Sequence, residues 1–246
     1  MSPKHLLNNV RLILVQPAGP LNVGSVARIM KNMGLNRLFL VNPQCDHTGE
    51  DALKMAVHAQ NILEMAQIVP NLQTALEGVK RAVATTSRTR SIPTEFNSPG
   101  EGISWLLEVD IESALIFGPE DRGLSNSELN CAQRFVTIPS HPNYPSLNLA
   151  QSVAICAYEL YKFSIEHENR SSFNNANLAS IDFLEGYYQQ LELSLLKIGY
   201  LQTHTATVRM EKLRRLFNKA QLTKEEVTSL RGILRQIDWY VQQKSN

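Results

Sequence analysis

The chain has 246 residues, 43% of them hydrophobic and 19% charged, with a net charge of +1. Those proportions fit a soluble globular protein with one large domain, or a medium domain and a small companion. Near-neutrality excludes a protein that coats nucleic acid indiscriminately.

Met1-Ser-Pro-Lys-His5 lacks a signal-peptide pattern, and no apolar run nears membrane-spanning length, so the expectation is a cytoplasmic protein with no membrane association. Cys45, Cys131 and Cys156 are far apart and odd in number. They fit a reducing compartment and imply neither a disulfide framework nor a zinc site.

In chain order, Val10–Val15 reads as a first buried strand ended by Pro17, Gly19 and Pro20. A helix follows from Asn22, with Val23, Val26, Ala27, Met30 and Met33 on one apolar stripe. Further strands are expected at 37–41, 81–85, 113–117 and 134–138, and helices at 51–66 and 72–77. Ser125-Asn-Ser-Glu128 has the spacing of a capping box, so a helix should begin there. A long helix should run from Leu147 to about Ile165, with Ser146 as its cap and Asn148 inside its first turn. Alternating strands and helices imply an α/β fold with a parallel sheet covered on both faces. This unit should occupy residues 1–166. His167–Asn177 is polar, rich in Asn and Ser, and reads as a linker. Residues 178–246 carry three amphipathic helical patterns and form a small all-helical module.

Three loops after strands concentrate groups suited to a ligand: Asn22-Val-Gly-Ser-Val-Ala-Arg28, Phe117-Gly-Pro-Glu-Asp-Arg-Gly-Leu-Ser125, and Ile138-Pro … Tyr144-Pro-Ser-Leu-Asn148. In the first, Asn22 is placed as a helix N-cap and Arg28 lies off the apolar stripe, an arrangement suited to a phosphate or a developing oxyanion. An ordinary capped helix with a solvated arginine would read the same way. In the second, Gly118 and Gly123 free the backbone, while Glu120 and Arg122 carry opposite charges that can pair with each other or with a ligand. A fourth segment, Thr85-Thr-Ser-Arg-Thr-Arg-Ser91, offers hydroxyls and puts Arg88 and Arg90 on one side of an extended stretch. Near the C-terminus, Arg209–Lys219 holds five basic residues against Glu211 alone, a local cluster able to meet phosphates. The six histidines show no metal-ligand spacing, and the dinucleotide, Walker A and nucleophile-elbow patterns are missing.

The three ordered loops resemble the three motifs of the SPOUT (SpoU–TrmD) methyltransferases. Thr85-Thr-Ser-Arg-Thr-Arg90, Tyr144-Pro-Ser-Leu-Asn-Leu-Ala150, and Lys212-Leu-Arg-Arg-Leu-Phe217 … Leu230-Arg-Gly-Ile-Leu234 narrow the resemblance to the TrmJ-type tRNA 2′-O-methyltransferases. The resemblance implies a trefoil-knotted α/β sheet with the Leu147 helix in the threaded segment, and a homodimer. It implies S-adenosylmethionine as methyl donor, met by Thr85, Thr86, Ser87, Gly118, Ile138, Pro145, Ser146 and Leu147; the residues themselves offer no metal site. The implied substrate is the ribose 2′-hydroxyl of a pyrimidine at nucleotide 32 of the tRNA anticodon loop. Arg28, Asn22 and Ser146 take the catalytic positions. Substrate contacts fall on Arg88, Arg90, Glu120, Arg122 and Asn148, with Lys212, Arg214 and Arg215 gripping the stem. In the family, the arginine matching Arg28 is held to deprotonate the hydroxyl. A guanidinium hardly ever releases its proton, so Arg28 is better read as holding the neighbouring phosphate and the forming alkoxide. Two departures stand out from family members, Gln16-Pro-Ala-Gly-Pro-Leu21 and Pro145. Alternatives are a SpoU-type enzyme acting on ribosomal RNA, against which the helical module argues, and a non-catalytic RNA-binding member.

Overall fold

The computed structural model describes residues 4–86, 96–167 and 177–245. Ser87, Arg88 and Arg90, and all of the expected linker but its ends, lie outside the described residues. The chain divides into two compact units, Met1–Asn175 and Ala176–Asn246.

The first unit begins with α1 (Lys4–Leu7), β1 (Val10–Val15), α2 (Pro20–Asn32) and β2 (Arg37–Val41). There follow α3 (Glu50–Ala56), a 3-10 turn (Val57–Ala59), α4 (Gln60–Glu64), β3 (Gln67–Val69), α5 (Leu72–Ala75) and β4 (Arg81–Thr85). The rest comprises β5 (Phe96–Asn97), α6 (Pro99–Ser104), a 3-10 turn (Trp105–Leu107), β6 (Ser113–Phe117), α7 (Asn126–Leu129), β7 (Arg134–Val136) and α8 (Leu149–His167). The strands form one sheet in the order β3-β2-β1-β6-β4-β7-β5, every described pair parallel. Parallel strands with crossover helices are covered on both faces, which is why the central strands are continuous apolar runs. On β1, Leu12 and Leu14 join the core beneath α2 and α8, while Ile13 and Val15 are buried as well. Gly24 lets α2 meet α3 at close range: a Cβ there would stand 2.2 Å from the Ala52 carbonyl oxygen.

Several local expectations are corrected. The 51–66 helix is broken by the 3-10 turn, where Val57 adopts φ 53°, a left-handed angle costly for a β-branched residue. The 134–138 strand spans only Arg134–Val136; the Thr137 amide still donates to the Asn97 carbonyl at 3.2 Å before the chain enters the Pro139 loop. β3, β5 and α6 had no strong sequence pattern. At the far side of the sheet, the Arg81 and Arg134 guanidiniums stack on Trp105, 4.5 and 4.4 Å from its ring centroid.

The second unit contains α9 (Ile181–Lys197), α10 (Ala206–Ala220) and α11 (Lys224–Ser245). Its core joins Leu184, Tyr187, Tyr188 and Leu191 of α9 to Met210 of α10 and to Val227 and Leu234 of α11. The amphipathic spacing of each helix produces this core directly.

Candidate active site

The strand ends place the loops. Phe117 and Gly118 leave β6, Thr85 and Thr86 leave β4, and Ile138 follows β7, all at the carboxyl edge of the sheet where α/β proteins hold ligands. A cavity of about 310 Å³ lies there, and Thr85, Thr86, Gly118, Ile138, Pro145, Ser146 and Leu147 all line it. Phe117, Val136 and Leu149 add apolar wall. A small-molecule site needs this mixture of apolar surface and a few polar groups.

Gly118 is required by packing. A Cβ on it would sit 2.4 Å from the Leu124 nitrogen and 2.6 Å from the Gly123 carbonyl carbon, both backbone atoms. The loop therefore folds back tightly on itself, and Gly123 takes φ 65° to complete the turn.

A chain of side chains ties the three loops together. Asn22 Nδ2 donates to Glu120 Oε1 at 3.0 Å, and Asn148 Nδ2 donates to Asn22 Oδ1 at 3.0 Å. The backbone amides of Ala18 and Gly19 also donate to Glu120, at 3.2 and 3.4 Å. One carboxylate thus collects three donors from residues 18–22. This corrects the capping expectation. Gly19 occupies the N-cap and Pro20 starts α2, so Asn22 sits within the first turn and spans the second and third loops. Likewise Asn148, not Ser146, caps α8: its Oδ1 accepts from Ala150 N at 2.9 Å and Gln151 N at 3.3 Å. Its Nδ2 remains for Asn22, so both ends of this amide are hydrogen-bonded.

Glu120 and Arg122 pair with other groups rather than with each other. Arg122 makes a bidentate pair with Glu128, Nη1–Oε2 2.9 Å and Nη2–Oε1 3.1 Å, and Nη2 also donates to Gln16 Oε1 at 2.8 Å. Hydrogen bonding to Glu128 raises the Arg122 pKa above its ordinary value. Burial pushes the Glu128 carboxyl up, but the Arg122 hydrogen bond and the Ser125 contacts outweigh it and leave the group below the usual glutamate value. Ser125 caps α7 with Glu128 in the expected reciprocal box. Gln16 was missed as a site residue. It holds φ 47° immediately after β1, which turns its amide oxygen to Arg122; its position between strand and Pro17 was the only signal.

Arg28 is exposed on α2 and has no hydrogen bond or ion pair among the described residues, and it does not line the cavity. In the helical unit, Lys212 is exposed, whereas Arg214 forms a bidentate pair with Glu185 at 2.5 and 2.7 Å and stacks over Tyr188. Arg215 lies 3.5 Å from Glu211. Among the described residues no group of His, Cys, Asp and Glu is arranged to hold a metal ion, and no helix is long and apolar enough to cross a membrane.

Sheet order, cavity position and loop network together define a parallel α/β protein with a ligand site at the carboxyl edge of its sheet. The SpoU rRNA Methylase family model matches residues 9–158, and the model of the tRNA methyltransferase TrmJ C-terminal domain matches 182–246. A tRNA (cytidine/uridine-2′-O-)-methyltransferase TrmJ from Pectobacterium atrosepticum is 40% identical over 93% of this chain and 96% of its own. A tRNA (cytidine/uridine/adenosine-2′-O-)-methyltransferase TrmJ from Pseudomonas aeruginosa is 39% identical over 93% of both. Among solved structures, TrmJ from Z. mobilis ZM4 superposes with a TM-score of 0.81 at 30% identity, over 93% of this chain and 98% of that one. A structure described as giving insights into the 2-OH methylation of C/U34 on tRNA matches with a TM-score of 0.53 at 27% identity, over 64% of this chain and 97% of that one. The chain therefore belongs to the SpoU methylase family, in its TrmJ branch.

Proposed function

We propose that this protein is a cytoplasmic homodimer that transfers a methyl group from S-adenosylmethionine to the ribose 2′-hydroxyl of a pyrimidine at nucleotide 32 of the tRNA anticodon loop. The observation that carries the reading is the cavity at the carboxyl edge, walled by Gly118, Ile138 and Ser146 and bordered by the Glu120–Asn22–Asn148 chain. The activities named for the Pectobacterium and Pseudomonas relatives support the same chemistry.

The residues present fit the cofactor. The cavity volume is at the lower end of ordinary ligand pockets, Gly118 contributes to its wall, and Thr86 and Ser146 stand among apolar walls. When bound, the cofactor supplies an electrophilic sulfonium methyl. Arg28 holds the phosphate beside the target ribose and stabilises charge growing on the 2′-oxygen. Asn22 keeps one N–H and one lone pair beyond its two hydrogen bonds, and with Ser146 orients the sugar. Alignment of this kind supplies much of the rate in a displacement. Arg122, tied to Glu128 and Gln16, acts in this reading mainly by stiffening the loop that carries Glu120.

Exposed apolar surface supports the dimer. On α8, Ile155, Tyr158 and Ile165 are 37%, 53% and 46% exposed at positions that share one side of the helix. Leu21 is exposed on α2, which packs on α8, and Arg28 lies two turns further along the side that carries Leu21. A second copy covering this surface buries the stripe and brings Arg28 into a shared interface. The reading also includes threading of the chain between β7 and α8 as the knot.

Purified protein, labelled S-adenosylmethionine and transfer RNA test the function, followed by nuclease digestion and mass mapping. A single 2′-O-methylated pyrimidine at nucleotide 32 is the expected product. Methylation at nucleotide 34, on a base, or only on ribosomal RNA would overturn the assignment.

A further inference from the structure

Lys224, Thr228, Arg231 and Arg235 fall at i, i+4, i+7 and i+11 of α11, which places them on one side of the helix. Beside α9 lies a recess of about 400 Å³ lined by Phe183, Gln190, Thr228, Arg231 and Arg235, without a carboxylate. Arg231 is pre-set: its Nε donates to Gln190 Oε1 at 3.0 Å and its guanidinium carbon lies 5.7 Å from the Phe183 ring centroid. That bond uses one of five donors and leaves both terminal nitrogens. Glycine flanks each guanidinium. A Cβ on Gly186 would stand 3.8 Å from Arg231 Nη1, and one on Gly232 3.8 Å from Arg235 Nη2. Lys224 Nζ lies 5.9 Å from the same Phe183 ring. Three carboxylates of these helices have other partners: Glu185 holds Arg214, Glu226 accepts from Thr223 N at 2.8 Å, and Asp238 pairs with Lys197 at 3.0 Å.

α10 is arranged differently. Arg214 and Arg215 are paired with Glu185 and Glu211, and Arg209 Nη1 donates to the Tyr200 carbonyl oxygen. The helix richest in basic residues thus spends much of its charge inside the unit. On α11, Arg231 and Arg235 have no ion pair among the described residues.

We propose that the α9–α11 recess is a phosphate-backbone site for the RNA substrate, with Arg231, Arg235 and Lys224 taking successive phosphates. This rests on the tRNA reading above. Lys224 to Arg235 covers roughly 16 Å of helix axis, enough to follow a stretch of backbone rather than a single phosphate. Such contacts position RNA without reading its sequence.

The test is tRNA binding by the full-length protein across a salt series, for wild type, R231E/R235E and R231K/R235K. The Glu pair should weaken binding at least tenfold, lower the slope of log K against log salt by roughly 1.5 to 2, and leave S-adenosylhomocysteine affinity unchanged. The Lys pair should keep most of the slope. If the Glu pair does not fold by thermal melting, R231Q/R235Q gives the same reading without charge reversal. A folded variant with native affinity and slope overturns the recess assignment while wild type still methylates tRNA. A wild type that neither binds nor methylates tRNA overturns the function from which it was drawn.

Discussion

Replacing Gly118 with alanine should damage both the fold and the cofactor cavity. The new Cβ would lie 2.4 Å from the Leu124 nitrogen and 2.6 Å from the Gly123 carbonyl carbon, neither of which can swing aside as a side chain can. Ordinary contact begins at 3.4 Å, so the loop must open by 3.4 − 2.4 = 1.0 Å. The same loop carries Glu120 and Arg122, whose bonds to Asn22 at 3.0 Å and Gln16 at 2.8 Å would stretch towards breaking. Overpacking of this kind costs about 1–3 kcal/mol. For a domain of this size that is a fall in Tm of roughly 2 to 12 °C. A misplacement of about 1 Å at a reacting site can cost on the order of 100-fold in rate. Thermal melting and calorimetric titration with S-adenosylhomocysteine read the two effects. A Gly118→Ala protein with native Tm and native cofactor affinity would refute the packing argument.

Glu120→Gln should lower turnover by at least about tenfold and Tm by a few degrees, because an amide offers one acceptor oxygen where three donors converge; wild-type kinetics would remove Glu120 from the network. Glu128 has a lowered pKa in the folded state, so its contribution to stability is complete above the unfolded value of about 4.3 and is lost as pH falls through the folded one. The Tm gap between wild type and Glu128→Gln should therefore shrink below about pH 4.3, and a gap constant from pH 7 to 3 would contradict that cause. Tyr158→Arg combined with Ile165→Arg should yield a folded monomer with little activity in light-scattering and methyl-transfer assays. A dimer of native mass would exclude the α8 stripe as the interface.

The central strands were legible because burial on both faces leaves an apolar run, as at Val10–Val15 and Ser113–Phe117. β3 was not, since it is a three-residue edge strand with Gln67 and Ile68 exposed. The break at Val57 was hidden because left-handed backbone is not encoded by a valine; tertiary packing imposes it. The cavity residues could be named because loop motifs are local. Their partners could not, since Glu120 reaches Asn22 across 98 residues. Capping failed for a related reason. Ser146 and Asn148 both qualify by type, and only the three-dimensional position of Asn22 explains why the asparagine serves.

In the proposed reaction Arg28 acts on the sugar oxygen while the cavity holds the methyl donor. Single-turnover methylation by Arg28→Lys, at saturating tRNA and S-adenosylmethionine, tests it most directly. The lysine lacks the planar fork that holds phosphate and oxyanion together, so the rate should fall on the order of 100-fold with cofactor affinity unchanged. A near-native rate would contradict the claim.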